Sequence, residues 1–234
     1  MVYTVAVLFS GGKDSLYAVD FALSKGWSVK YLLSIKPTRT DCYLFHFATV
    51  EHTPIQARLL GIPHILETCS LSDPIQEAEI IKNIVKKHPV DAVILGGTGL
   101  QITQIKSIQD ALLPSGIEAF ASHAGMDHGK LLCDMIQGGY KIMISQFAAE
   151  GLDKTWLGKV LTHESSQELF RLSQKYGFHE GGDGSSYDTY VVDSPLFKNK
   201  IDFGMIEKFK ETAYSGYVVA RHPILLEKSL QQSL

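Results

Sequence analysis

The run Val2-Tyr-Thr-Val-Ala-Val-Leu-Phe9, followed directly by Ser10-Gly11-Gly12-Lys13-Asp14-Ser15, constrains this chain more than any other feature. A nearly continuous apolar and β-branched stretch predicts a strand buried on both faces, as in a parallel sheet. From Lys13 onward Leu16, Val19, Phe21, Ala22 and Leu23 keep roughly helical spacing, until Gly26 supplies a stop. The opening is therefore a strand, a glycine turn and a helix.

The alternation repeats. Strands are predicted at Ser28 to Ile35, His64 to Glu67, Asp91 to Leu95 and Glu118 to Phe120. Between them lie helices from Pro54 to Leu60, closed by Gly61, from Pro74 to about His88, and from about Gln101 to Leu113. Such alternation predicts an α/β doubly wound parallel sheet with right-handed crossovers, whose ligands sit at the carboxyl ends of the strands. After residue 122 the rhythm changes to a helix near Met126 to Ile136, a strand at Lys141 to Ala148 and a helix near Glu164 to Lys175. A Gly- and Asp-rich stretch follows, then Tyr187 to Phe197, which reads as a β-hairpin arm or a sheet edge. The expected division is a nucleotide domain over 1–122 and a smaller α+β substrate domain over 123–234, closely packed.

Composition narrows the function classes. Apolar residues make up 45% and charged residues 20%, as in an ordinary globular protein, which excludes collagen, coiled coil and low-complexity chains. Lys plus Arg (22) nearly balances Asp plus Glu (25), and only Arg39, Arg58, Arg171 and Arg221 are arginines. Direct nucleic-acid binding, which needs clustered cations, is not expected. Cys42, Cys69 and Cys133 are too few and too scattered for a disulfide framework or a metal knuckle. No apolar stretch reaches the roughly 18 residues of a membrane span. A cytoplasmic setting without a membrane is expected.

The turn after the first strand carries chemistry. Gly11 and Gly12 let backbone N–H groups approach an anion, and the helix dipole adds partial positive charge. Lys13 adds a full charge, and Ser10 and Ser15 offer hydroxyl donors to phosphate oxygens. Asp14 disfavours a bare phosphate; its useful role there is to hold Mg²⁺ between phosphates. The spacing from first glycine to lysine is too short for the Walker pattern.

Ser10 to Ser15 matches SGGxDS and so resembles the PP-loop, or N-type, ATP pyrophosphatases, which have an adenine nucleotide alpha hydrolase-like (HUP-type) fold. That resemblance implies cleavage of ATP between the α and β phosphates and adenylation of a substrate oxygen, with Lys13 and Asp14 as candidate catalytic residues. It implies ATP contacts from Ser10, Gly11, Gly12, Lys13, Asp14 and Ser15, adenine near Leu33 to Ile35 with Ser34 in the binding set, and Gly96 and Gly97 beside the AMP. Tyr43-Leu44-Phe45-His46, Gln56 to Pro63, Glu150 to Lys159 (against GLDxxWLGR) and Glu180-Gly181-Gly182 with Tyr187 to Phe197 (against EGGE(Y/F)xT…D.PLF) resemble the diphthine–ammonia ligase family. The resemblance implies ATP-dependent amidation of diphthine on elongation factor 2, with Mg²⁺ on Asp14, free ammonia as co-substrate, AMP and pyrophosphate as products, and homodimerisation left open.

On the same ground Glu180, Gly181, Gly182, Thr189 and Asp193 are candidate substrate contacts, with Tyr187, Tyr190 and Trp156 as aromatic companions for a quaternary ammonium. The chain departs from the family pattern at Asp183 with the extra Gly184-Ser185-Ser186, at Lys106 in place of an arginine, and at Phe120-Ala-Ser-His123 in place of Pro-Leu-Trp. These departures allow a paralogue with another acceptor; an RNA-modifying PP-loop enzyme and a non-hydrolysing nucleotide-binding protein are the other classes. The spacings of His46 with His52 and His123 with His128 predict no transition-metal site. Lys82, Lys86 and Lys87 read as one solvated helix face.

Overall fold

The computed structural model describes residues 2–37, 49–69, 73–96 and 102–228. Strand β1 (Thr4–Leu8) lies at the centre of a five-stranded sheet, flanked by β2 (Ser28–Pro37) and β4 (Ala92–Leu95), with β3 (His64–Cys69) and β5 (Glu118–Ala121) outermost. Every pairing in it is parallel, in the order β3-β2-β1-β4-β5. The order reverses beside β1, so the crevice at its carboxyl end is the ligand position for this topology.

The unbroken apolar character of β1 has a direct structural counterpart. Val5, Val7 and Phe9 enter one core with α1 (Lys13–Ser24), while Ala6 and Leu8 enter another with α3 (Pro74–Lys87) and α4 (Ile102–Leu112). Alternate residues thus serve opposite faces, both fully covered. Helix α2 (Thr53–Leu60) ends at Gly61, which is left-handed at φ 71°, as its placement in the sequence predicts.

A second, antiparallel sheet follows in the order β7-β6-β9-β8. It contains β6 (Lys141–Ala148), β7 (Tyr187–Asp193), β8 (Asn199–Lys210) and β9 (Ser215–Glu227), with α5 (His128–Gln137) and α6 (His163–Tyr176) preceding β6 and β7. Of the two readings of Tyr187 to Phe197, the sheet edge is the one found: β7 pairs with β6, and Ser194 to Phe197 form a turn. The hairpin of this region is instead β8 with β9, paired from Asn199 with Glu227 to Lys210 with Gly216.

The core joins the two sheets. Phe9, Leu16 and Val19 belong to the same buried cluster as Ile142, Ile144, Phe147, Tyr190 and Val218. Gln56, fully buried on α2, donates from Nε2 to the carbonyl of Gly11 at 2.9 Å and to that of Val191 at 2.8 Å. One amide therefore ties the glycine turn to β7. Among the described residues no helix is long and apolar enough to cross a membrane.

Candidate functional site

The turn leaving β1 is fixed from three sides. Phe9 N–H donates to the Leu33 carbonyl at 2.8 Å, continuing the β1–β2 ladder up to the turn. Gly11 is left-handed at φ 82°, and a Cβ there would stand 2.5 Å from Gln56 Oε1 and 3.1 Å from the Tyr190 ring. Its carbonyl also accepts from Val191 N–H at 3.0 Å. Only glycine fits that combination of conformation and closeness.

Gly12 is the N-cap of α1 and supplies no side-chain cap. The first-turn amides consequently face the crevice with the positive end of the helix dipole. One is already engaged, since Lys13 N–H donates to Oγ1 of Thr189 at 3.1 Å. Ser15 Oγ donates to the Gly12 carbonyl at 3.0 Å, and Ser10 Oγ lies 3.3 Å from Ser15 Oγ, which keeps both hydroxyls at the turn.

Lys13 and Asp14 form a tight pair, Nζ to Oδ2 2.6 Å. The other carboxylate oxygen lies 3.5 Å from Nε2 of His123, a fully buried imidazole at the end of β5. Burial raises the Asp14 pKa, but the Lys13 ammonium and His123 outweigh it and hold the group below its usual value. Asp14 is thus an ionised hard-oxygen donor. One ionised carboxylate at the start of α1 fits Mg²⁺ shared with phosphate oxygens, the mode this ion favours over an all-protein cage.

Gly96, at the end of β4, backs directly onto the same helix start. A Cβ there would meet Ser15 N at 2.7 Å and Ser15 Cα at 2.9 Å. The predicted Gly96 therefore stands at the turn, whereas Gly97 and the stretch Tyr43 to His46 lie outside the described residues. Ser34 is fully buried at the same end of the sheet, its Oγ donating to the Phe9 carbonyl at 2.5 Å and lying 2.8 Å from His64 Nε2. Its side chain holds β1, β2 and β3 together instead of being free for a ligand.

The predicted substrate residues separate. Glu180, Gly181 and Gly182 come close to α5: Glu180 carboxylate atoms lie near Gly129, where a Cβ would meet Oε1 at 2.7 Å, and a Cβ on Gly181 would stand 2.5 Å from that of His128. Thr189 and Val191 point their polar atoms to the turn, while Asp193 is ion-paired with Lys228 at 2.6 Å, near the end of β7.

The aromatic companions need correction. Tyr190 is fully buried and donates to the His52 carbonyl at 3.1 Å, and Trp156 is buried with Lys159 stacked 4.4 Å over its ring. Tyr187 is buried too, its hydroxyl donating to the Glu180 carbonyl at 2.5 Å. These rings are packed into the core, Tyr190 against Gly11 and Tyr187 against Gly182, instead of presenting open faces. Burial, reinforced by the charges of Asp14, Asp183 and Glu180, pushes the Tyr187 phenol well above its ordinary pKa. Lys106 pairs with Asp110 on its own helix at 3.1 Å, an exposed i,i+4 contact.

Histidine spacing along the chain misses what folding assembles. The His123 and His128 rings are 5.0 Å apart and those of His128 and His179 5.1 Å apart, a row starting at Asp14 and ending in the loop before β7. His128, His179 and Asp183 each offer a ligand atom within 4.8 Å of the others. The absence of a local spacing motif did not exclude a metal cluster, because the three residues come from the start of α5 and from the separate 177–186 loop.

The family assignment follows from sequence kinship over both sheets. A model described as the diphthamide synthase N-terminal domain matches residues 3–113, and one described as the diphthamide synthase C-terminal domain matches residues 127–225. A diphthine–ammonia ligase of Mus musculus is 30% identical over 221 residues, covering 84% of this chain and 81% of that protein. The Homo sapiens protein of the same name is 28% identical with the same coverage of both chains. A Schizosaccharomyces pombe relative, also named diphthine–ammonia ligase, is 27% identical over 212 residues, covering 83% of this chain and 35% of that longer protein. With both of its halves matched by the two domain models and the mouse relative aligned over most of either chain, this protein belongs to the diphthamide synthase family.

Proposed function

We propose that this chain is an ATP-dependent, AMP-forming ligase that converts diphthine on elongation factor 2 to diphthamide with ammonia. The observation that carries the reading is the Lys13–Thr189 hydrogen bond, which joins the SGGKDS turn to the strand of the Tyr187 to Phe197 element. A turn resembling the PP-loop enzymes and a strand resembling the diphthine–ammonia ligase family are joined by this bond.

In this reading a diphthine carboxylate oxygen attacks the α-phosphorus, and the α–β bond breaks with its electron pair leaving on pyrophosphate. Lys13 and the amides opening α1 take up the charge on the departing phosphates. Asp14 would hold Mg²⁺ here, which would supply charge neutralisation beside the phosphates. Ammonia then attacks the acyl carbon, AMP leaves with the C–O electron pair, and the extra proton passes to solvent or a nearby base. The Glu180-Gly181-Gly182 loop packed over α5 borders the acyl group and restricts water, which would otherwise hydrolyse the acyl-adenylate.

The test measures AMP and pyrophosphate release from ATP, Mg²⁺ and ammonium, with and without diphthine-bearing elongation factor 2. Release that requires the factor, together with conversion to diphthamide, supports the reading. Release that ignores the factor favours a different acceptor, for which the longer 183–186 loop gives a physical reason. No cleavage under any condition favours a nucleotide-binding protein without turnover.

A further inference from the structure

His128 stands at the first position of α5, where Asp127 caps the helix by accepting from Lys130 N–H at 2.8 Å. Nδ1 of His128 is buried and makes no hydrogen bond. It nevertheless lies 3.2 Å from Oδ2 of Asp183, in an alignment that does not satisfy it. Two ligands bound tetrahedrally at about 2.0–2.1 Å to one ion stand roughly 3.3–3.4 Å apart, so a small movement of either group brings this pair to a coordination edge.

The surrounding backbone is fitted to this arrangement. Gly181 packs directly on His128, with no room for a side chain, and Gly182 and Gly184 on either side of Asp183 are left-handed at φ 82° and 74°. A Cβ on Gly182 would also collide with the Tyr187 carbonyl at 2.7 Å. The loop that departs from the family pattern is thus folded tightly, and Asp183 is turned toward the imidazole of α5.

We infer that His128, His179 and Asp183 form a binding site for one divalent transition ion of the zinc class, beside the phosphate turn and distinct from the Mg²⁺ position at Asp14. Two imidazoles and one carboxylate are borderline donors that suit zinc or cobalt better than magnesium or calcium. Three protein ligands leave a fourth position for water or for a substrate atom. Without metal, His179 Nδ1 accepts from Gly181 N–H at 3.1 Å. Coordination either displaces that one bond or follows a flip of the ring. His123 lies between the site and Asp14, its ring 5.0 Å from that of His128, so the ion adds positive charge next to the phosphate turn without sharing its carboxylate.

The test is made on the full chain, stripped with a chelator and free of ATP. Zinc is titrated in competition with a chromophoric chelator, and cobalt(II) is followed by its visible absorption. One ion per chain, four-coordinate cobalt bands and retention of zinc in excess Mg²⁺ are expected. His179→Ala and Asp183→Asn each weaken zinc binding by at least about tenfold with unchanged circular dichroism, and His222→Ala, on the exposed hairpin, retains wild-type affinity. Zinc affinity unaltered in both ligand variants, or no saturable binding by the wild-type chain, overturns the inference. Because no nucleotide is present, this outcome is independent of the proposed amidation.

Discussion

The backbone N–H of Lys13 donates to the side-chain oxygen of Thr189 at 3.1 Å, linking residues 176 positions apart. The glycine turn of the first sheet is therefore held by a strand of the second. Thr189→Val keeps shape and removes the acceptor, leaving a buried amide with no partner. The expected cost is about 1–3 kcal/mol of stability, with a larger fall in pyrophosphate release than Thr189→Ser, which retains the oxygen. Urea unfolding and a pyrophosphate assay on both variants check it. Equal behaviour of Val and Ser would show that the bond does not matter.

Gly96 is expected to be intolerant of even one methyl group. The Cβ of Gly96→Ala would stand 2.7 Å from Ser15 N, a backbone atom that moves only with the whole helix start. Overpacking of this kind costs roughly 1–3 kcal/mol, and the displaced turn should raise the KM for ATP. Gly26→Ala is the control: Gly26 has nothing within 4 Å of an added Cβ but a φ of 72°, so it should cost stability through strain with no change in KM.

Much of the first sheet was legible because local pattern and tertiary role coincide. Gly61 stops α2 where a left-handed residue is needed, and β1 reads as apolar throughout because both its faces are buried. The hairpin of β8 and β9 carried no such signal. Lys200, Asp202, Glu207, Lys208 and Lys210 interrupt β8, and much of the ribbon is exposed, so its own backbone ladder defines it rather than a hydrophobic period. Thr189 was read as a substrate contact, and its hydrogen bond to Lys13 N–H was not legible, since strand alternation and the packing of β7 on the turn decide which way that hydroxyl points. The row of His123, His128 and His179 was invisible for the same reason: proximity there comes from α5 meeting a distant loop.

Acid should destabilise the fold before its carboxylates titrate. Burial lowers the pKa of His52, against the opposing Ala220 carbonyl, and likewise lowers those of His64 and of His123, the last against the pull of Asp14. Each has a folded pKa below the unfolded value of about 6.5, so the unfolded chain binds more protons and stability falls as pH drops below that point. Urea midpoints should decline between about pH 7 and pH 5, and His52→Gln should flatten the slope. A midpoint constant over that range would contradict these shifts.

Asp14→Asn preserves volume while removing the charge that pairs with Lys13 and suits Mg²⁺. Circular dichroism should match wild type, and pyrophosphate release should fall by about 100-fold or more, the scale of losing one electrostatic contact to a transition state. Raised Mg²⁺ should restore part of the rate if the lost group is a metal ligand. Wild-type turnover would remove Asp14 from the mechanism.

Activation of a carboxylate as an acyl-adenylate transfers one carboxylate oxygen to AMP, which isotope labelling reads out. Diphthine-bearing elongation factor 2 is labelled with heavy oxygen in the diphthine carboxylate and incubated with the chain, ATP, Mg²⁺ and ammonium, and the released AMP is weighed by mass spectrometry. One heavy oxygen is expected in AMP for each diphthamide formed. Diphthamide formed with unlabelled AMP, or with ADP and labelled phosphate, would contradict it.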